Sequence, residues 1–183
     1  MRTLSLLLLT LAACQGDGTP PDDTDSPVDD TDVVDDTDPP PTDAPVRINE
    51  IMASNEAALE RDDGEFPDWI ELVNLTASAI DLGGASITDD LADPTKHVLP
   101  AGLMLPANGY LVVWADDLGE RDDAAPFKLG ADGESAGIYS PEGDAWDTLD
   151  FGAQTTDVSW ARSPDGTGAF APDATPTPGA AND

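Results

Sequence analysis

From residue 46 onward, short apolar runs rich in β-branched and aromatic residues alternate with turn-forming pairs: Asp63-Gly64, Gly83-Gly84, Asn108-Gly109, Asp132-Gly133, Glu142-Gly143 and Asp165-Gly166. A few residues of extended chain followed by a reversal is the cadence of antiparallel strands. It predicts strands at Val46–Met52, 69–74, 79–82, 85–88, Tyr110–Ala115, 137–139, 145–151 and 158–162. Period-two alternation supports them: in 69–74, Ile70 and Leu72 fall on one face, with Trp69, Glu71 and Val73 on the other. Tyr110–Ala115 is apolar nearly throughout, the pattern of a central strand covered on both faces. The best helical candidate is 54–61, where Ser54 could cap Asn55-Glu56-Ala57-Ala58-Leu59 for one or two turns. Short strands with no helical layer leave a two-sheet sandwich or a closed barrel. The sandwich is the expectation, with Trp69 and Trp114 filling the space between its sheets.

Upstream this pattern stops. Residues 15–45 are Asp, Thr, Pro and Gly with hardly any apolar side chain, and DDTD units recur at 22–25, 29–32 and 35–38. Eleven Asp and no Lys or Arg stand between those limits. Such a segment buries too little apolar surface to offset the entropy of ordering, and its like charges stretch it. The expectation is a disordered acidic stalk reaching at most roughly 95 Å at about 3.1 Å per residue. Its repeats lack the turn glycine and terminal glutamate of a calcium loop, so loose cation binding is the most they imply.

The first fourteen residues have a different order again: Arg2, the apolar run Leu4 to Leu9, then Leu11-Ala12-Ala13-Cys14. A charge, an apolar stretch too short to span a bilayer and a small-residue zone make an export signal. Leu-Ala-Ala-Cys resembles the lipobox of bacterial lipoproteins, which implies cleavage before Cys14 and lipid attachment to its thiol. Several acyl chains, at about 0.8 kcal/mol per buried methylene, suffice for stable anchoring. In that family an Asp after the cysteine retains the protein at the inner membrane; Gln15 here implies the outer membrane of a Gram-negative bacterium. The organisation read from sequence is thus a signal peptide (1–13), a lipid anchor with linker (14–45) and a globular domain (46–183).

Charge narrows the function classes. Thirty-eight Asp and Glu against seven Lys and Arg give a formal net charge of -31, which repels phosphate backbones and argues against nucleic acid as a partner. A single cysteine rules out an internal disulfide framework and a thiolate zinc site. His97, the one histidine, sits beside the polar loop 89–96 and has no partners for a nucleophilic triad. No catalytic residue and no metal site are assigned, and the chain is read as a non-enzyme. The acidic loop groups Asp62-Asp63 with Glu65, Asp89-Asp90 with Asp93, and Asp116-Asp117 with 120–123 are read as solvated charge, and they keep calcium open as a ligand. Glu50 and Glu71, inside expected strands, must face solvent or pair with Arg47 or Arg162.

One resemblance spans the globular region. Ile48-Asn49-Glu50-Ile51-Met52, Asp68-Trp69-Ile70-Glu71-Leu72, Asp81-Leu82-Gly83-Gly84, Leu99-Pro100-Ala101-Gly102, Leu105-Pro106-Ala107-Asn108-Gly109-Tyr110-Leu111-Val112-Val113-Trp114, Phe127-Lys128-Leu129 and Thr177-Pro178-Gly179-Ala180-Ala181-Asn182 follow the order seen in bacterial lamin-tail domains. The resemblance implies an all-β, immunoglobulin-like sandwich. Ala85 departs from it, since the family commonly has an aromatic after the glycine pair. The family's domains accompany exported enzymes and are thought to mediate adhesion or protein contact. The expectation is therefore a tethered module for a surface protein or glycan. The alternatives are an envelope spacer without a ligand or an extracellular carboxylate-dependent hydrolase.

Overall fold

A computed structural model describes residues 43–182. The signal peptide, Cys14 and the stalk up to residue 42 lie outside the described residues. The described chain forms β1 (Val46–Met52), β2 (Asp68–Asn74), β3 (Ile80–Asp81), β4 (Ser86–Thr88), β5 (His97–Val98), β6 (Met104–Leu105), β7 (Tyr110–Ala115), β8 (Ala124–Ala125), β9 (Gly133–Tyr139), β10 (Ala145–Gly152), β11 (Ser159–Ser163) and β12 (Ala169–Asp173). A six-stranded sheet, β12-β11-β1-β2-β7-β8, faces a four-stranded sheet, β10-β9-β4-β5, with the pair β3-β6 beside them. All ladders are antiparallel except the short β7–β8 pairing. The domain is an all-β sandwich of the immunoglobulin-like kind.

The alternation read from sequence decides what lies between the sheets. Ile48, Ile51, Ile70, Leu72 and Val113 from one sheet meet Ile87, Ala136, Ile138, Leu149 and Phe151 from the other in one apolar cluster. Each fully buried Ile or Leu contributes roughly 2 kcal/mol by leaving water. Ala85 joins this core fully buried, its N–H closing a turn on the Leu82 carbonyl at 3.0 Å. The corner therefore packs around a methyl group where an aromatic was expected.

Three features depart from the sequence reading. The register of β1 against β2 slips between Ile48 and Glu50, so Asn49 is an extra residue. Ile48 and Ile51 both reach the core, while Asn49 and Glu50 both turn outward. Trp69 and Trp114 do not fill the space between the sheets. They are cross-strand partners and, because Ile70 and Val113 point inward, they point outward and pack with Met52 and Ala124 in a separate cluster. Nor do residues 54–61 form a helix. The Asn55 side chain accepts the Leu59 N–H at 3.0 Å and donates to the Leu59 and Pro67 carbonyls at 2.7 and 2.8 Å. Asp157 accepts the N–H groups of Glu56, Ala57 and Ala58 at 2.8, 2.8 and 3.0 Å. The donors a helix would use are taken by side chains.

One glycine is enforced by close approach. At Gly168, a Cβ would stand 2.0 Å from the Ser163 carbonyl oxygen, where the turn into β12 closes with Gly168 N–H on the Pro164 carbonyl at 2.7 Å.

Candidate functional site

The outward face of β1 and β2 carries a buried polar network. Glu50 and Glu71 are directly opposed across the ladder, and both are fully buried. Glu50 accepts the Ser159 hydroxyl and the Thr177 N–H at 3.3 and 3.2 Å. Glu71 accepts the Asn49 amide at 3.0 Å and the Gly179 N–H. Beside them Asp165 accepts the Tyr110 hydroxyl at 2.7 Å, the Asn49 amide at 3.2 Å and the Asn182 N–H at 2.9 Å. Asn182 donates its own amide to the Asn49 and Arg162 carbonyls at 3.2 and 2.8 Å. The segment 177–182 is thereby stitched onto the sheet by donors aimed at acids.

Among the described residues, no salt bridge within 4.0 Å involves Glu50 or Glu71. The expected partners Arg47 and Arg162 turn to Asp147 instead, with Arg162 Nη2 at 2.9 Å and Arg47 Nη1 at 3.5 Å, because Asp147 reaches β1 from the opposite sheet. Burial pushes the Glu71 carboxyl up to about 7, reinforced by the neighbouring charges of Glu50 and Asp165 and opposed by the donors Asn49 and Gly179. Burial also raises Glu50. Tyr110 is pushed up to about 12 by burial and by its hydrogen bond to Asp165.

A second place is open to solvent. Where β2 begins and β7 ends, a cleft of about 550 Å³ is lined by Arg61, Phe66, Pro67, Asp68, Leu118 and Lys128, among others. Arg61 builds its wall. The guanidinium donates to Asp63 at 2.9 Å and Asp116 at 2.7 Å and lies 5.9 Å from the Trp114 ring centroid. Asp116 in turn accepts the Leu118 and Gly119 N–H groups at 3.0 and 2.9 Å. The loop after β1 and the loop after β7 are thus locked together with the cleft between them. Leu118 is 64% exposed. Among the described residues, Lys128 is the one Lys or Arg without a carboxylate within 4.0 Å. Burial raises the pKa of Asp68 at the floor, despite the Asn55 and Leu129 backbone donors and the charge of Lys128.

A family profile described as Lamin Tail Domain matches residues 39–153. The chain belongs to the lamin tail domain family. A search of curated proteins returned no match. The matched range ends just after β10, while the larger sheet continues past it: β11 lies between β1 and β12.

Each acidic loop group, expected from sequence to be solvated charge, gives one or two of its members to an ion pair. Asp62 and Asp123 hold Arg121 at 2.9 and 3.0 Å, Asp63 and Asp116 hold Arg61 at 2.7 Å each, and Asp89 holds Lys96. Among the described residues, no three His, Cys, Asp or Glu side chains come together as metal ligands. His97 lies in β5, its pKa lowered by burial. Cys14 is outside the described residues. Sequence reasoning missed Asp147, Asp165 and the docking of 177–182. The signal that could have found the last is the presence of both Asn49-Glu50 and Thr177-Pro178-Gly179-Ala180-Ala181-Asn182 among the segments that carried the resemblance.

Proposed function

We propose that this chain is an exported cell-envelope lipoprotein, held by a lipid on Cys14, that displays its lamin tail domain as a non-catalytic binding or adhesion module for a surface protein or glycan. The observation that carries the reading is the direction of the strands. β1 leaves the stalk at Val46 and runs to Met52, about 20 Å at strand rise. Val46 pairs with Asn74, Met52 with Trp69, and Asp68 with Ala115, so the cleft sits at the end opposite the stalk junction. A domain tethered through residue 45 would present that cleft away from the membrane, as a contact surface on loops held by a rigid scaffold requires. The buried acids support a structural rather than catalytic role for themselves, since Glu50, Glu71, Asp147 and Asp165 all spend their oxygens on donors inside the domain.

The test uses the cleft and the anchor together. With Leu118→Cys in the full chain, a membrane-impermeant maleimide should label intact cells, and Cys14→Ser should release the protein into the soluble fraction. A photo-crosslinker at residue 118 should recover one recurrent partner, and Lys128→Glu should reduce its capture. A soluble wild-type chain in fractionated cells would overturn the anchor. Labelling without any crosslinked partner would leave a displayed spacer and overturn the binding role.

A further inference from the structure

We propose that residues 177–182 form a proton-operated strap over the Glu50–Glu71 pair, closed when the pair holds a proton and lifting when both acids are ionised. The inference is independent of the anchor and of the cleft.

The geometry argues first. Two fully buried carboxylates are direct cross-strand neighbours, a placement that disfavours two like charges. The charges that act on them add to the strain. Asp165 lies beside Glu71, Asp173 acts on Glu50 from β12, and Tyr110 stays neutral on β7. The nearby Arg162 is committed to Asp147 and to the Ile48 and Gly168 carbonyls. What covers the acids is a segment that supplies only neutral donors: the Thr177 and Gly179 N–H groups and, next to them, the Asn182 N–H on Asp165.

Linkage fixes the direction. Closed, the pair is desolvated and Glu71 holds its proton to about 7. Open, the same carboxyls meet water and return toward ordinary acidity. The closed state therefore binds more protons, and raising pH through neutrality favours opening. Individual N–H bonds to an ionised carboxylate are stronger, but the upward shift of Glu71 means that desolvation and repulsion outweigh them. Lifting the strap exposes a three-acid surface of Glu50, Glu71 and Asp165. Three residues separate the end of β12 from the strap, which need not disturb the core.

Hydrogen exchange by NMR on the full-length chain tests this, with rates corrected for intrinsic base catalysis. The protection of the Thr177 and Gly179 amides should fall by up to roughly tenfold per pH unit above the midpoint, while that of Ile70 and Ile138 holds. In Glu71→Gln the strap's protection should no longer depend on pH over this range. If that variant does not fold, the wild-type Gly179 amide shift serves alone, and should titrate near neutrality. Strap protection that is flat with pH, or unchanged pH dependence in Glu71→Gln, would overturn the proposal.

Discussion

Asp147 and Arg162 together stand in for a missing strand beside Ile48. β1 meets β11 only at Glu50 and Ile51. Ile48 instead gives its N–H to Asp147 Oδ2 at 3.0 Å and receives Arg162 Nε on its carbonyl at 2.8 Å. The two side chains close on each other at 3.2 and 2.9 Å. An ion pair from β10 and β11 thus completes the edge of β1 where the two sheets come together.

Removing one partner should cost far more than the pair contributes. Asp147→Ala takes the carboxylate from Arg47 and Arg162 and the acceptor from the Ile48 N–H, and is expected to lower stability by roughly 3–5 kcal/mol. Asp147→Asn, which still accepts from Ile48, should cost less. Urea unfolding measures both, and a loss for the alanine variant below about 1 kcal/mol would contradict this role.

The pH profile of stability should have a shoulder on each side. Glu71 is raised in the folded state, so its contribution is greatest below its unfolded value and is lost as pH rises through about 7, a change of up to about 3 kcal/mol. Asp81 and Asp157 are lowered, by backbone donors led by Gly83 and Ala57 respectively. Their contribution is present above the unfolded value and lost as pH falls through the folded one. Melting temperature should therefore peak in mildly acidic solution, and Glu71→Gln should flatten only the alkaline limb.

Asp157 binds three consecutive N–H groups while itself at φ 59°. Asp157→Ala should accelerate exchange of the Glu56, Ala57 and Ala58 amides. Asp157→Asn, which keeps the acceptor and tolerates the left-handed backbone, should largely preserve them. Equal exchange in all three proteins would show that the loop holds itself.

Two glycines separate clash from conformation. Gly168→Ala drives a methyl group into the Ser163 carbonyl and should cost about 3 kcal/mol or more. Gly143→Ala, at φ 96° with nothing within 4 Å, meets only backbone strain and should cost about 1 kcal/mol. Thermal melts of the pair should keep that order.

The long strands were legible because one buried face imposes alternation. β10 carries it, with Asp147, Leu149 and Phe151 buried between more exposed neighbours, whereas β7, at the expected limits Tyr110–Ala115, stood out by its unbroken apolar run. β5, β6 and β8 have two residues each, too few for any period, and β12 is largely exposed, so core packing left no mark on it. The polar network was half legible. Glu50 and Glu71 stood out as acids in strands, but their partners depend on the slip at Asn49, which residue patterns do not announce. Arg47 and Arg162 were attractive partners by charge, and only the sheet arrangement hands them to Asp147.

The terminal strands of the two larger sheets have a consequence for crowding. A free strand edge invites a neighbouring chain to extend the sheet, yet each here is blunted. β5 and β8 offer two residues apiece, and β12 carries Pro172, which has no N–H to give. β10 is the one long edge, and it bulges between Ala145 and Asp147 and turns the Asp147 charge inward. Copies concentrated side by side would meet without a template for strand addition, so this domain can be packed densely and still resist growth into fibres.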